Sequence, residues 1–187
     1  MNIKIENKLD KNNIDKTLES YINSLKEMDL EIHANNIIEL FEILKRKEIK
    51  KGPYQNISLF EAANRIMSDL VILFGVKDLL NEKYKEIKFS QYTVEYGNEH
   101  NNKHDITAED KVKGIKLIGE AFNVSKSFFQ TKKYYSLKKL RNNKSDNVIK
   151  ILLYNLDAIE ENYIPDKNKN EYHIPVNIFL NLSLFDL

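Results

Sequence analysis

Two acids stand in apolar surroundings near the middle of this chain. Asp105 opens the run His104-Asp-Ile-Thr-Ala108, and Glu120 lies inside Gly114-Ile-Lys-Leu-Ile-Gly-Glu-Ala-Phe-Asn-Val-Ser125. Both runs read as strands, and the polar turn from Glu109 to Gly114 joins them. Two carboxylates should therefore fall side by side on neighbouring strands. A carboxylate is costly to bury unless it is paired or bound to a cation. Two hard oxygen ligands suit Mg²⁺, which commonly takes one or two carboxylates and leaves its remaining positions to water and phosphate.

The elements that must position this pair follow from periodicity. Leu18, Tyr21, Ile22 and Leu25 have helical spacing, as do Ile32, Ile37, Ile38, Leu40, Phe41 and Leu44, which predicts helices over 15–25 and 30–46. The basic run Lys45 to Lys51, then Gly52-Pro53, ends the second. Ser58-Leu-Phe-Glu61 has the form of a capping box and starts a third helix, with Gly75 as its stop and a short helix or turn through Leu80. Phe89 to Tyr96 alternates and is rich in strand formers. The strands of Asp105 and Glu120 come next, then a helix over 126–141. Val148 to Tyr154 fits a buried strand or the start of a helix, and the strand is the reading adopted. The apolar tail over 171–187 reads as a helix.

The expected fold class is α/β (α+β): a mixed central sheet with an α-β-β-β-α-β core, preceded by N-terminal helices. Three strands linked by short turns suggest an antiparallel meander, and the crossover helix suggests that the fourth strand joins in parallel. A chain of 187 residues is sufficient for one domain with a full core. It divides into a helical extension (1–52), the core (57–155) and a C-terminal packing segment (156–187).

Composition narrows the function. The net charge is +1, so any nucleic-acid surface must be local, and the absence of cysteine excludes disulfides, zinc-thiolate sites and cysteine nucleophiles. The N-terminus lacks the apolar stretch of a signal peptide, and no run is long enough to span a bilayer, which suits a cytoplasmic protein. No Gly-rich phosphate loop or nucleophile elbow is present, so a nucleotide cofactor is not expected. His100 and His104 have a spacing that suits zinc on a helix, but the intervening Asn101-Asn-Lys103 argues for a turn.

The order of elements and the acids together resemble the PD-(D/E)XK nuclease superfamily, the restriction-endonuclease-like fold, over roughly residues 57 to 155. The resemblance implies a helix acid at Glu61, an aspartate at Asp105 and the acid of an acid-x-lysine motif at Glu120. It implies a metal-dependent endonuclease that hydrolyses DNA, with Mg²⁺ or Mn²⁺ held by Asp105, Glu120 and the Ala121 carbonyl. Duplex cleavage would call for a homodimer, with dimer or DNA contacts from the N-terminal helices. One departure stands out: Phe122 occupies the position where the motif's lysine belongs. Some members supply that lysine from the following helix. There Phe128, Phe129, Tyr135 and Leu140 define an apolar sector, and Lys132 falls inside it. Lys132 is thus the expected catalytic lysine, with Lys133, Lys138, Lys139 and Arg141 as nucleic-acid contacts. Without a working lysine, the alternative is a non-catalytic module that binds nucleic acid or protein.

Overall fold

The computed structural model describes residues 5–28, 30–97, 102–166 and 168–185. Its helices are α1 (Ile14–Lys26), α2 (Ile37–Arg46), α3 (Leu59–Leu80), α4 (Lys126–Arg141) and α5 (Ile178–Leu182). Its strands are β1 (Lys8–Asp10), β2 (Gln91–Val94), β3 (Ile106–Asp110), β4 (Ile115–Phe122), β5 (Val148–Asn155) and β6 (Glu171–Val176). The six strands form one sheet in sequence order. β1 to β4 pair antiparallel, whereas β4, β5 and β6 run parallel. The mixed α/β class and the expected core order are both present, as α3-β2-β3-β4-α4-β5. No helix among the described residues is long and apolar enough to cross a membrane.

The sheet is covered on both faces, and the alternation along β4 shows how. Leu117 and Ala121 face one core with Leu70, Leu73 and Phe74 of α3. Ile118 and Phe122 face a second core with Phe129, Leu137 and Leu140 of α4. Side chains alternate along a strand, so Glu120 shares the α4 side with Ile118 and Phe122. Phe122 packs with Phe129 and Tyr154, at ring-centroid distances of 6.1 and 6.2 Å. The aromatic at the expected lysine position is thus a core residue beneath α4.

Three expectations need correction, and one strand was not expected. Residues 30–36 lie outside the second helix, because the Asn36 side chain caps α2 by accepting from the backbone N–H groups of Ile38 and Glu39. Gly75 does not stop α3, which continues to Leu80. Its role is close approach, since a Cβ there would lie 2.6 Å from Leu153 Cδ1 of the strand beneath. The tail begins as strand β6, not as a helix, and pairs with β5 at the sheet edge, where Pro175 costs no central ladder bond. β1 was not anticipated; three residues pairing with β2 are too few for periodicity to reveal.

Asp69 ties the helical layer to the sheet. It is 1% exposed and accepts hydrogen bonds from the Tyr21 hydroxyl (2.7 Å), the Tyr54 hydroxyl and the Gly97 backbone N–H (3.0 Å). Burial outweighs these donors and pushes its carboxyl up to about 6. Gly97 has φ +74°, and a Cβ there would lie 2.8 Å from the Tyr54 ring, so the turn requires glycine. An amide at position 69 keeps one acceptor oxygen for the two tyrosines but turns an N–H₂ towards the Gly97 N–H. Asp69→Asn should therefore destabilise the fold by about 1–3 kcal/mol. In urea unfolding this would appear as a lower midpoint with an unchanged slope; an unshifted midpoint would remove Asp69 as the tie.

Candidate active site

The structure brings Asp105 and Glu120 together. Asp105 sits just ahead of β3, where its Oδ2 accepts the backbone N–H of Ala121 on β4 at 2.8 Å. β3 and β4 are in register, with Ile106 opposite Gly119, which sets the two acids at one end of the antiparallel pair. The Ala121 N–H thereby ties Asp105 to the residue that follows Glu120.

Glu120 is 6% exposed, and both of its oxygens are engaged. Oε1 lies 2.8 Å from His104 Nδ1, and Oε2 lies 2.8 Å from the Lys139 ammonium. Burial, with the Lys139 and Lys103 cations close by, holds His104 below the usual imidazole range. At neutral pH the imidazole is thus uncharged. The ionised Glu120 can only accept, so the proton is assigned to Nδ1.

The Glu120 charge strains Asp105. Burial first, and then the Glu120 charge, push Asp105 up to about 6, against relief from Ala121, Lys139 and Lys132. Glu120 is also raised, by burial, although Lys139 and Lys132 lower it. The positive charge at hand does not fully compensate the pair. That is the condition in which a divalent cation stabilises two carboxylates.

The other expected site residues fall elsewhere. Glu61 lies in the first turn of α3, the helix whose core residues cover the sheet face opposite Glu120, and pairs with Arg65 at 2.7 Å. Ser58 caps the Glu61 N–H at 3.2 Å. Lys132 is exposed rather than inward, because Phe128 and Tyr135, expected in the buried sector, are exposed too. The buried sector of α4 is Phe129, Ser136, Leu137 and Leu140. Lys133 rests over the rings of Phe129 and Tyr163, at 5.8 and 5.3 Å from their centroids. Arg141 binds Glu171 in bidentate fashion at 2.7 and 2.8 Å, and Lys138 is exposed. Of the α4 cations, Lys139 and Lys132 therefore act on the acids, and Lys139 touches one of them. His100 lies outside the described residues.

Sequence reasoning passed over His104 and Lys139 as partners of Glu120. The signals were adjacency for His104, which precedes Asp105, and a two-turn spacing for Lys139, seven residues after Lys132.

Among the described residues no group of three His, Cys, Asp or Glu side chains is placed to hold a metal. Two carboxylates remain, which is the number of protein ligands Mg²⁺ often accepts when water and phosphate fill the rest. The donor set fits such an ion if Glu120 turns one oxygen from its present partner. No family model, curated protein or solved structure matches this chain.

The raised Asp105 carboxyl has a consequence for stability. The folded protein holds this proton up to about pH 6, whereas the carboxyl's ordinary value is 3.8. Between these values the folded state binds more protons, so this group's contribution falls as pH rises from about 4 to 6 and is level above. Asp105→Asn keeps an acceptor for Ala121 and removes the charge. The variant should gain about 0.5–2 kcal/mol at pH 7.5, and little at pH 4. Thermal unfolding at the two pH values checks this; a lower Tm for the variant at pH 7.5 would show that the pair is not strained.

Proposed function

We propose that this chain is a metal-dependent nuclease, an endonuclease that hydrolyses DNA phosphodiester bonds at the Asp105–Glu120 pair. The observation that carries the reading is the under-compensated pair itself: the buried Glu120 and the half-buried Asp105 at one end of the β3–β4 register, with both pushed upward and with lysines beside them. A fold that needed only stability would do better with apolar residues or matched charges here.

In this reading Asp105 and Glu120 hold Mg²⁺ or Mn²⁺. The ion, when bound, offsets charge on the scissile phosphate and makes a neighbouring water more acidic. Lys139 approaches from α4 with its ammonium 2.8 Å from Glu120, close enough to face charge developing on the phosphate. It takes the role assigned to Lys132, which stands about two turns towards the helix N-terminus as a second cation. His104 holds Glu120 by Oε1 and so orients the carboxylate. Cutting both strands of a duplex takes two such sites, hence two copies of the chain.

The second reading, a binding module without catalysis, draws on one observation: both Glu120 oxygens already have partners, so an ion must displace one. Incubation with supercoiled plasmid and with single-stranded circular DNA, in Mg²⁺ or Mn²⁺, separates the two. Cleavage should vanish in Asp105→Ala and Glu120→Ala and should fall about 100- to 1000-fold in Lys139→Met. Cleavage that survives both acid substitutions would remove this site. Calorimetric Mn²⁺ binding without cleavage of either DNA would favour the binding module.

A further inference from the structure

The exposed edge of α4 beside the acids carries two aromatic rings that the proposed hydrolysis does not use. Phe128, Lys132, Tyr135 and Lys139 succeed one another at intervals of four, three and four residues. At about 100° per residue they fall within a sector of about 60°, on one edge of the helix. Lys139 and Lys132 both act on Asp105 and Glu120, so this edge is the one that borders the acids. Phe128 is 66% exposed and Tyr135 is 62% exposed. Two large aromatic rings thus stand in solvent, each next to a lysine. Burial of apolar area would have favoured turning such rings inward, as Phe129 is turned.

Interleaved aromatics and cations are what an unpaired nucleic-acid strand requires: a flat apolar face for each base and a positive charge for each phosphate. A duplex offers its bases only as edges in the grooves, so rings projecting from a helix surface have no base face to meet. The spacing agrees. Phe128 and Tyr135 are seven residues apart, about 10 Å along the helix axis. Stacked bases rise by about 3.4 Å, so bases resting on both rings must be splayed rather than stacked on each other.

We infer that the Phe128–Lys132–Tyr135–Lys139 edge of α4 is a binding track for single-stranded nucleic acid, which stacks its bases on the two rings and delivers its backbone to the acid pair. The inference rests on the nuclease reading for the purpose of the track. It narrows the substrate class to unpaired strands, for which one site in one copy of the chain suffices. The other basic side chains of α4 lie off this edge: Arg141 is held by Glu171, and Lys133 lies against Phe129 and Tyr163.

Fluorescence anisotropy with the full chain tests it in EDTA, so that binding is read without cleavage. The probes are labelled oligo(dT), oligo(U) and a blunt duplex of equal length. The single strands should bind at least about 10-fold more tightly than the duplex. Phe128→Ala and Tyr135→Ala should each weaken single-strand binding by about 10-fold and leave duplex binding and the circular-dichroism spectrum unchanged. Phe128→Tyr should restore binding, which separates stacking from a packing defect. The two single-stranded arms decide between DNA and RNA. Equal or tighter duplex binding, or alanine variants that bind oligo(dT) and oligo(U) like the parent, would overturn the track. Tight single-strand binding in a protein that cleaves nothing in Mn²⁺ would sustain the track while removing the nuclease.

Discussion

The burial of Glu120 is the constraint to which the site conforms. This carboxylate lies between Ile118 and Phe122 on a strand face covered by α4, with 6% of its surface in water. An ion so placed must be met by donors or cations, or it loses its charge. His104 answers one oxygen and Lys139 the other. Each answer fixes something larger. The His104 contact holds the segment leading into β3, and Asp105 with it. The Lys139 contact joins α4 to β4 beside the inward positions Phe129, Ser136, Leu137 and Leu140.

Comparison of the buried acids sets Glu120 apart by its neighbours. Glu171 has the bidentate Arg141 guanidinium together with Asn168 and His173, and these partners bring its carboxyl down to about 2. That arrangement is complete; it joins the end of α4 to the edge strand β6. Asp69 is met by three neutral donors and joins the helical layer to the turn after β2. Asp105 and Glu120 differ from both. They are like charges placed together, and the Glu120 charge adds to burial in raising Asp105, whereas burial alone raises Asp69. Proteins keep such local conflict where binding or chemistry requires it.

The two edges of α4 divide the labour of this helix. Towards β3 it presents Lys132 and Lys139 with the exposed rings of Phe128 and Tyr135. Towards β6 it presents Arg141 to Glu171. Between them runs the apolar strip that packs on β4 and β5, including Phe129, whose ring is 5.0 Å from that of Tyr154. One helix thereby seals the second core, anchors the sheet edge and borders the acids.

Much of this fold was legible in the residues because it is local. The helix over 126–141, the antiparallel meander, the parallel addition of β5 and the adjacency of Asp105 and Glu120 all follow from periodicity and short turns. Apart from the local Asn36 cap that shortens α2, what failed depends on partners distant in sequence. Gly75 resembled a helix stop, but its missing side chain makes room for Leu153, 78 positions further on. Phe128 and Tyr135 resembled core, because a helical wheel gives the angles between side chains but not which arc a sheet will cover. The sequence alone determined that two carboxylates would meet on neighbouring strands, since register and alternation are properties of the strands themselves. Only the tertiary structure decided that Lys139, rather than Lys132, touches them. That choice depends on how α4 is rotated and seated over β4, and the core beneath it, built from β4, β5 and Ala158, sets that rotation.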